Sequence, residues 1–539
     1  MTQTRDISSI MRKVHSRNTT PEINLRKALR QAGIFYRLRT DDLPGKPDLI
    51  LPGTKLAVFI DGDYWHGGQW SRRGLTCLEE QFRKTRNSEY WLRKIRSNMR
   101  RDVDSTARLL ADGWKVLRLW ESSIKNDLDG CVSMVKDACE ATTGHDFSTW
   151  MLSEKKVAEF FAGIGLVRMG LESRNWRVTY ANDIDLNKYQ MYSDHFGNDD
   201  ETFDLRDVKE VRGLDIPDVT LATASFPCND TSLAGSRKGL KGEKSSTFWE
   251  FIRILSEMAE RRPPIVMIEN VPGFLTSGSG KDFEAALKAL NERGYLVDTF
   301  QLDAADFVPQ SRKRLFIIGI LQSLGLGESS RCDPDELVSS TRPKKLVEFI
   351  CGNNSVKWLI RRLPSPPEMK NSLKDFIEDI PDENPQWWSA QRAAYLLAQM
   401  NPEHRLKAQM MIDDDQYNYG TVFRRVRKGV TRAEIRNDGL AGCLRTPRGG
   451  SARQILFRGG KGGFRVRLLT ARECARLMGA SDFNINVHES KALYGFGDAV
   501  AAPVIEWISI YYLEPLVNQL LRGRVLCRPQ KISSCRSDI

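Results

Sequence analysis

Reactive side chains flank three short apolar runs in the middle of the chain. SFPCN (225–229) and ENV (269–271) each follow such a run, and QSRKR (310–314) precedes a third. If the first two runs are strands of one open α/β sheet, the cysteine and the carboxylate share the edge at which such sheets bind ligands. The cysteine, the acid and the arginine pair all fall at strand ends, in an order suited to nucleophilic attack on a ring. A lone cysteine is more often an inert apolar residue, and this alternative stays open on these residues alone.

A glycine-containing turn upstream indicates a cofactor. FAGIG (161–165) follows a predicted strand and precedes a predicted helix, an arrangement that lets the backbone approach a ligand at a helix N-terminus. Asp183 and Asp185 come about 20 residues later, after the second predicted strand, where an acid can bind ribose hydroxyls. A glycine turn alone is often only tight packing, but the turn and the acid together predict a nucleoside cofactor.

A second reactive group lies near the N-terminus. LPGKPD (43–48) leads into a predicted β-hairpin, and FIDGDYWH (59–66) ends its second strand. Because a tight turn makes the two strands antiparallel, Asp48 and Asp61 are expected near the same end of the hairpin. Two carboxylates there could hold a magnesium ion, which prefers oxygen ligands. The alternative is that Asp48 is a turn residue and His66 a packed histidine.

The apolar pattern predicts the elements that carry these groups, and the fold class is α/β. In the first 147 residues the pattern predicts a helix, a β-hairpin, a long charged helix and a strand, at 21–31, 49–51 with 56–60, 79–110 and 114–120. From residue 155, strands alternate with helices, which predicts a mostly parallel, doubly wound sheet. The predicted strands are 157–161, 178–181, 219–222, 265–268 and 315–320, and the helices between them include 248–260 and 281–294.

The alternation fails after residue 320, where proline-rich and glycine-rich stretches predict a smaller, irregular domain, and helix returns at 469–478 and 504–521. The predicted domains are therefore 1–147, 154–320 and 321–467, with 468–522 returning to the second domain.

Composition and charge restrict the function. With 41% hydrophobic and 28% charged residues, the chain is neither mostly disordered nor a small disulfide-stapled scaffold. Ten scattered cysteines without a CxxC pair favour free thiols, and neither a membrane-spanning run nor a secretory signal is expected. The net charge of +12 is concentrated in 1–150 (net +7) and 401–467 (net +9). These zones predict two surfaces that face nucleic-acid phosphates, although basic zones can also be merely solvated.

The ordered motifs FAGIG, SFPCN, ENV, QSRKR, LLTARECARLMG and GFGDAV resemble the motif series of cytosine-5 DNA methyltransferases, over roughly 155–521. The resemblance implies a Rossmann-like domain that uses S-adenosylmethionine and extrudes the target cytosine from double-stranded DNA. It implies that Cys228 is the nucleophile, that Glu269 holds ring nitrogen 3, that Arg314 contacts the base carbonyl and that Arg312 supports the site. The implied cofactor-binding positions are Phe161, Gly163, Gly165, Asp183, Asp204, Pro227, Phe248 and Val500.

Three positions depart from that family's usual pattern, since Leu166 replaces a glycine, Asp183 a glutamate and Asp498 an asparagine. The family places its target-recognition domain between QSRKR and LLTAREC, an interval that here contains the +9 zone and the segment GCLRTPRGG (442–450). Arginines can read guanine edges or bind phosphate, so the methylated sequence does not follow from the motifs.

Five segments resemble very-short-patch repair (Vsr) endonucleases, over about 7–123: RKVHSRNTTPEINLRKAL, DLPGKPD, GDYWHG, YWLRKIRSNMRRD and GWKVLRLWE. The resemblance implies a restriction-endonuclease-like fold that nicks DNA at T·G mismatches. It implies Asp48 as a magnesium ligand, His66 as the acid/base that activates water, and Glu22 as a supporting carboxylate. Asp61 replaces a second histidine of that family and is a further expected metal ligand. Aromatic residues expected to wedge into the duplex are Tyr64, Trp65 and Trp91.

Known members of that family also hold a structural zinc ion. The corresponding positions here are Asp63, Gly68, Trp70 and Ser122, which cannot form a thiolate-rich site, so no structural zinc is expected.

The leading hypothesis is one polypeptide that methylates cytosine and repairs the resulting T·G mismatches. Its expected setting is the bacterial cytoplasm, at the nucleoid, as a monomer that hands nicked DNA to repair proteins. Three alternatives remain. The chain could be a restriction–modification fusion that cuts unmethylated DNA, the N-terminal domain could only bind DNA, or the methyltransferase could act on RNA. The long basic recognition interval argues against RNA.

Overall fold

The computed structural model of the protein describes residues 18–38, 42–69, 73, 78–83, 85, 87–112, 114–140, 152, 154–197, 202–227, 247–329, 333–427, 429–446 and 453–523. The chain divides into two compact units. One unit comprises Met1–Glu154 together with Pro515–Ile539, and the other is Lys155–Glu514. The further division of the second unit into catalytic and recognition domains stays a prediction.

A four-stranded mixed sheet, in the order β1-β2-β3-β4, forms the centre of the first unit. Its strands are β1 (Arg37–Leu38), β2 (Leu49–Leu51), β3 (Leu56–Asp61) and β4 (Lys115–Trp120), of which β3 and β4 are parallel. The helices are α1 (Thr20–Gln31), α2 (Leu78–Phe82), α3 (Ser88–Ala111), α4 (Glu121–Asn126) and α5 (Leu128–Glu140). The predicted hairpin is confirmed, because Leu49 pairs antiparallel with Val58.

One prediction for the first unit is wrong, since the charged stretch expected as a single helix forms α2 and α3. Asn87 has a positive φ of 64°, which a continuous right-handed helix does not allow. The apolar stripe of α1, at Leu25 and Leu29, is fully buried in a common core with the sheet. This core holds the end of β3, and therefore Asp61, in a fixed position.

The second unit is built on a seven-stranded sheet in the order β10-β11-β9-β8-β5-β6-β7. The strands are β5 (Lys156–Phe160), β6 (Arg177–Asn182), β7 (Phe203–Asp204), β8 (Leu221–Ala224), β9 (Ile265–Asn270), β10 (Tyr295–Asp303) and β11 (Lys313–Leu321). Strands β5 to β9 are parallel, and β11 runs antiparallel to both of its neighbours, β9 and β10. The helices are α6 (Leu166–Glu172), α7 (Leu186–Phe196), α8 (Thr247–Glu257) and α9 (Lys281–Glu292). The predicted doubly wound α/β architecture is confirmed.

Two features of this sheet differ from the sequence prediction. Strand β10 was missed because Asp298 and Thr299 interrupt its apolar run, yet both are fully buried. Asp298 is hydrogen-bonded to Arg342 and Tyr512, so its burial is compensated. Strand β9 also continues through Glu269 and Asn270, which the sequence pattern placed after its end.

The segment after β11 is more regular than predicted. It contains helices α10 (Pro334–Leu337), α11 (Lys344–Gly352), α12 (Ala390–Ala398) and α13 (Pro402–Ile412). It also contains an antiparallel sheet in the order β13-β12-β14-β15, made of β12 (Asn418–Arg427), β13 (Val430–Arg436), β14 (Ile455–Gly460) and β15 (Gly463–Leu468). The expected irregularity is found in 353–389, a fully described stretch in which the 3-10 helix Leu373–Phe376 is the only helix or strand.

Helices α14 (Ala471–Leu477), α15 (Glu489–Asp498), α16 (Ala502–Ile508) and α17 (Glu514–Gly523) follow, with the π-helix Ser509–Leu513 between the last two. The stretch Glu489–Leu521 has the length and a mean hydropathy, 1.3, that a membrane-crossing helix would have. Its most apolar window is 67% buried inside the protein, as is usual for a helix that packs into a core.

Candidate active sites

The carboxyl ends of the parallel strands β5, β6, β8 and β9 share one edge of the large sheet. The predicted glycine turn follows β5, Asp183 follows β6, and Phe226-Pro227 follows β8. The side-chain amide of Asn270, at the end of β9, donates to the carbonyl of Phe226 at 3.3 Å and links two of these ends. Cys228 directly follows Pro227 but lies outside the described residues. The structure therefore places the segment that leads to the predicted nucleophile at the predicted ligand edge.

The turn after β5 is held by Asp183. Gly163 and Gly165 have φ values of 59° and 81°, which favour glycine. The Gly163 N–H donates to Asp183 Oδ2 at 2.9 Å, and the Asp185 N–H donates to Asp183 Oδ1, also at 2.9 Å. A Cβ atom at Gly165 would lie 2.4 Å from the ring of Phe196. Asp183, expected at a ribose, thus also orients the turn, and its contact with a cofactor stays a prediction.

The other predicted cofactor positions lie around this edge but differ in exposure. Phe161 occupies the turn with a positive φ of 57°, and Val500 is buried between α15 and α16. Asp204 already accepts hydrogen bonds from Tyr180 at 2.7 Å and from Arg206 at 2.6 Å. Phe248 is fully buried behind Phe226, with ring centroids 5.4 Å apart, so the structure shows it as a core residue.

The predicted base-binding residues Glu269 and Arg314 form an ion pair. Arg314 Nε lies 2.7 Å from Glu269 Oε1, and 14% and 11% of the two side chains remain exposed. The pair spans the neighbouring strands β9 and β11. A carboxylate held by a guanidinium at the ligand edge can accept or donate a proton on a heterocyclic ring while the arginine keeps it oriented.

Arg312 ties two distant segments together. Its Nη1 donates to the carbonyl of Leu444 at 2.8 Å, and its Nη2 donates to those of Gly497 and Ala499 at 3.0 and 2.6 Å. Burial and the nearby Arg314 lower the pKa of Arg312. Leu444 lies in the segment GCLRTPRGG, and Gly497 and Ala499 flank Asp498 in the last motif, GFGDAV. Arg312 therefore links these two segments, which is consistent with the supporting role predicted for it.

Sequence reasoning missed several groups at this edge. The side chain of Gln310 accepts from Leu444 N at 3.1 Å and donates to Leu477 O at 2.7 Å. Lys188 pairs with Asp498 at 3.0 Å. Near the carboxyl end of β5, Glu159 is 2% exposed, and neither of its carboxylate oxygens has a hydrogen-bond partner among the described residues. Burial raises the pKa of Glu159 to about 8. Its place two residues before FAGIG was visible in the sequence, but its lack of hydrogen-bond partners was not.

In the first unit, His66, Asp61 and Asp102 form a compact group whose ligand atoms all lie within 4.8 Å of one another. His66 Nδ1 is 2.6 Å from Asp102 Oδ2 and 3.5 Å from Asp61 Oδ1. Arg118 donates to both oxygens of Asp61 at 2.7 Å and lies 2.9 Å from Asp102 Oδ1. Asp102 and Arg118 were not singled out from the sequence, because they lie on α3 and β4, far along the chain from His66.

The surroundings of His66 change its proton affinity. Burial by itself lowers the pKa of His66, but the hydrogen bond to Asp102 and the charges of Asp61 and Asp102 outweigh it. The pKa of His66 is therefore raised from its ordinary value of 6.5. Arg118 opposes this effect only in part. A histidine oriented by a carboxylate is the usual arrangement of a general base or acid.

The two other predicted carboxylates lie outside this group. Asp48 Oδ2 accepts the backbone N–H of Ile60 at 2.8 Å, which places it beside the end of β3, as predicted. Glu22 is buried in the first turn of α1, where it accepts from Asn18 N at 2.9 Å and from Arg26 Nη2 at 2.8 Å. Their catalytic roles stay predictions.

Two carboxylates and an imidazole form a donor set that could bind a divalent cation, but Arg118 already occupies both oxygens of Asp61. In this arrangement the guanidinium takes the place of a cation beside Asp61. The magnesium ion expected at Asp48 and Asp61 therefore does not fit Asp61 as the side chain stands, and a metal ligand role for Asp48 stays a prediction.

The three predicted wedge residues form one aromatic cluster. The ring centroids of Tyr64 and Trp65 are 5.2 Å apart, and Trp91 lies 5.8 Å from Tyr64 and 5.9 Å from Trp65. The cluster is partly exposed and contacts the buried ring of Phe82. Two of its members, Tyr64 and Trp65, directly precede His66 in the chain, so the cluster lies beside the candidate general base.

Three of the four positions for which the Vsr resemblance implies zinc ligands in other proteins are described here, and the expectation of no structural zinc stays a prediction. Asp63 accepts from the Ser122 hydroxyl at 2.8 Å and from the Ser122 N–H at 3.1 Å. A Cβ atom at Gly68 would lie 2.6 Å from the indole of Trp120. Trp70 lies outside the described residues.

Comparison with protein families gives two separate matches. The family model of the C-5 cytosine-specific DNA methylase matches residues 155–510. The model of the DNA mismatch endonuclease Vsr matches residues 2–72. The two matches fall on different compact units of the chain.

Curated relatives show the same division. The chain is 25% identical over 368 residues to the Type II methyltransferase M.HhaI of Haemophilus parahaemolyticus, covering 66% of this chain and 94% of the relative. It is 26% identical over 363 residues to M.NlaX of Neisseria lactamica, covering 66% and 95%. It is 36% identical over 134 residues to the Type II nicking enzyme V.NmeDIP of Neisseria meningitidis serogroup C, covering 25% of this chain and 86% of the relative.

Proposed function

Because the chain belongs to the C-5 cytosine-specific DNA methylase family and also carries a Vsr-type endonuclease domain, we propose that it performs two linked reactions on DNA. It methylates carbon 5 of a target cytosine through a covalent adduct with Cys228. It also nicks DNA at T·G mismatches, which arise when 5-methylcytosine is deaminated. One polypeptide thereby keeps repair capacity in proportion to methylation.

The meeting of the glycine turn, Pro227 and the Glu269–Arg314 pair at one sheet edge carries the methyltransferase proposal. S-adenosylmethionine fits this edge at Gly163, because a Cβ atom there would meet no other atom closer than 4.0 Å and the backbone is therefore open to a ligand. Gly165 instead packs against Phe196 and fixes the shape of the turn. When bound, this cofactor supplies a methyl group activated by a positively charged sulfur. The turn at 161–165, with Asp183 behind it, would hold the cofactor.

The chain's own residues would activate the base. Carbon 5 of cytosine is a weak nucleophile until a thiolate adds to carbon 6, so the Cys228 sulfur would form a bond to carbon 6. Glu269 would hold or protonate ring nitrogen 3 as that bond forms, and Arg314 would contact the base carbonyl while fixing Glu269 at 2.7 Å. After carbon 5 is methylated, loss of its proton restores the ring and expels the Cys228 thiolate.

The nuclease proposal is supported by the His66–Asp102 contact and the aromatic cluster beside it. His66, oriented through Nδ1 by Asp102, would accept a proton from the water that attacks the phosphodiester. Tyr64, Trp65 and Trp91 would enter the duplex next to the mismatch, where unstacking costs less than at a matched pair.

One experiment tests both activities of the full chain. Matched, hemimethylated and T·G-mismatched duplexes are incubated with and without S-adenosylmethionine and magnesium. We expect methyl transfer to matched DNA that Cys228→Ser abolishes and Asp48→Ala spares. We expect nicking of T·G heteroduplex only, and we expect Asp48→Ala to abolish it and Cys228→Ser to spare it.

The outcomes separate the alternatives. Cleavage of unmethylated, matched DNA would instead establish a restriction–modification fusion. Nicking that persists in Asp48→Ala would exclude catalysis through Asp48. Loss of both activities in either variant would show that the two units are not independent.

A further inference from the structure

An ion pair joins two segments of the ligand edge that are far apart in the chain. Lys188 Nζ, in the first turn of α7, lies 3.0 Å from Asp498 Oδ2, at the last residue of α15. Only 18% of the Lys188 side chain is exposed, whereas 44% of the Asp498 side chain remains open to solvent. Helix α7 follows Asp183, and α15 ends within the last motif, GFGDAV. The pair therefore connects the predicted ribose-binding segment to the last motif.

Close packing places this pair next to the glycine turn. A Cβ atom at Gly495 would lie 2.6 Å from Ile164, in the turn after β5, and 2.9 Å from Met191 on α7. Helix α15 therefore approaches the turn and α7 so closely that there is no room for a side chain at Gly495. Asp498 follows Gly495 by three residues, which is less than one helical turn. Its carboxylate thus lies at the edge where the turn would hold a cofactor.

The charge of Lys188 is balanced by carboxylates. Burial by itself lowers the pKa of Lys188, but three nearby carboxylates outweigh burial and raise it. They belong to Asp183, Asp498 and Asp185. Asp183 and Asp185 already accept backbone N–H groups, whereas Asp498 contacts the ammonium directly. Because a largely buried ammonium is costly without a paired charge, Lys188 depends on Asp498.

The backbone around Asp498 is held from a second direction. Arg312 Nη2 donates to the carbonyls of Gly497 and Ala499 at 3.0 and 2.6 Å, while Lys188 holds the side chain between them. The methyltransferase resemblance predicts asparagine at position 498, and an asparagine would leave the Lys188 ammonium without its partner charge. The lysine on α7 and the aspartate on α15 therefore form a matched pair, in which either residue without the other leaves an unbalanced charge.

We propose that the Lys188–Asp498 pair positions the last motif at the cofactor and, by balancing the lysine charge, determines how strongly the site prefers S-adenosylmethionine over its demethylated product. S-adenosylmethionine carries a positive sulfonium, whereas S-adenosylhomocysteine has a neutral thioether at the same atom. An unbalanced ammonium at this edge repels the sulfonium and has little effect on the thioether. This inference rests on the proposed use of S-adenosylmethionine and assigns the preference for it to two side chains.

The test is titration calorimetry of the full-length protein with each of the two compounds. In Asp498→Asn, we expect the affinity for S-adenosylmethionine to fall about tenfold or more and that for S-adenosylhomocysteine to fall less than about threefold. The double variant Lys188→Met/Asp498→Asn removes both charges, so its preference should return to within about threefold of the wild type. A merely structural role of the ion pair would not give this rescue, because the pair is still missing in the double variant.

Glu403→Gln is the matched control, because it removes the carboxylate from another lysine pair, with Lys407 at 2.7 Å on the surface of α13. It should leave both affinities unchanged. If Asp498→Asn binds S-adenosylmethionine like the wild type, or loses affinity for both compounds equally, the proposal is wrong. A double variant with the same preference as Asp498→Asn would also overturn it. If the wild-type protein binds neither compound, the proposed S-adenosylmethionine-dependent function fails instead.

Discussion

His66 Nδ1 lies 2.6 Å from Asp102 Oδ2, and the other oxygen of Asp102 lies 2.9 Å from Arg118. Asp102 is carried by α3, whereas His66 follows the end of β3. The helix therefore delivers the carboxylate that fixes the orientation of the imidazole. This contact also raises the pKa of His66 above its ordinary value. The nicking activity should accordingly depend on a residue far from the catalytic segment in sequence.

Asp102→Asn tests this dependence. A general base must be neutral, so nicking by the wild-type protein should increase as pH rises through the raised pKa of His66. Without the Asp102 charge that pKa falls, so the rising limb should move to lower pH. The maximal rate should fall by about 10²-fold or more, because the imidazole loses its orientation. The measurement is the pH dependence of single-turnover nicking on T·G heteroduplex.

Asp112→Asn is the control for this substitution, because Asp112 is exposed at the end of the same helix. Its profile should match that of the wild type. If nicking by Asp102→Asn increases over the same pH range as nicking by the wild type, His66 is not the titrating base.

The Glu269–Arg314 pair predicts a defect in chemistry rather than in DNA binding. Glu269→Gln removes the charge that Arg314 orients and the proton acceptor for the ring, so methyl transfer should slow by about 10²- to 10⁴-fold. Arg314→Lys keeps the charge but loses the planar fork and should also be slow. Single-turnover methylation and DNA affinity are measured together. Glu250→Gln, which disrupts only a surface pair with Arg253, should behave as wild type, and a normal rate in Glu269→Gln would contradict the assignment.

Gly165→Ala tests the cofactor turn. Both Gly165 and Gly197 have positive φ, 81° and 95°, so alanine is strained at either position. A Cβ atom at Gly165 would also meet Phe196 at 2.4 Å and Tyr192 at 2.8 Å, whereas one at Gly197 would meet nothing within 4 Å. We therefore expect Gly165→Ala to weaken S-adenosylmethionine binding at least tenfold and Gly197→Ala to leave it nearly unchanged. Titration calorimetry measures the affinity of each variant for S-adenosylmethionine. If the two affinities are equal, the turn at Gly165 does not contribute to cofactor binding.

Glu159 predicts a pH-dependent stability. Its pKa is about 8 in the folded protein and near 4.5 when unfolded, so the folded state binds the extra proton between these values. The stability that this proton contributes is complete below pH 4.5 and is lost as pH rises to about 8. The glutamine in Glu159→Gln cannot ionise. Between pH 5 and pH 9, the free energy of unfolding of this variant should therefore rise relative to that of the wild type by about 2 to 5 kcal/mol. Calorimetric melting of both full-length proteins at pH 5 and pH 9 measures this change. If the difference in stability between variant and wild type is the same at both pH values, the prediction is wrong.

The sequence predicted most of the architecture because strand-forming runs and glycine turns are local signals. It predicted the hairpin that carries Asp48 and Asp61, and it placed Glu269 at the ligand edge of the sheet, where Arg314 also lies. It did not single out Asp102 or Arg118, although both lie in segments that resemble Vsr endonucleases, since nothing local marks either residue as a partner of His66. It also missed β10, whose buried Asp298 reads as an exposed residue until its partners Arg342 and Tyr512 are known.

The most direct test of the methyltransferase assignment is covalent capture. The full-length protein is incubated with S-adenosylmethionine and duplex DNA in which 5-fluorocytosine replaces cytosine. Fluorine occupies the place of the carbon 5 proton whose loss expels the thiolate, so the bond between Cys228 and carbon 6 is not broken. We expect a protein–DNA complex that survives denaturation, whose attached peptide contains Cys228, and which Cys228→Ser cannot form. If wild-type protein methylates ordinary DNA but never becomes attached to the fluorinated substrate, the proposed covalent route through Cys228 is wrong.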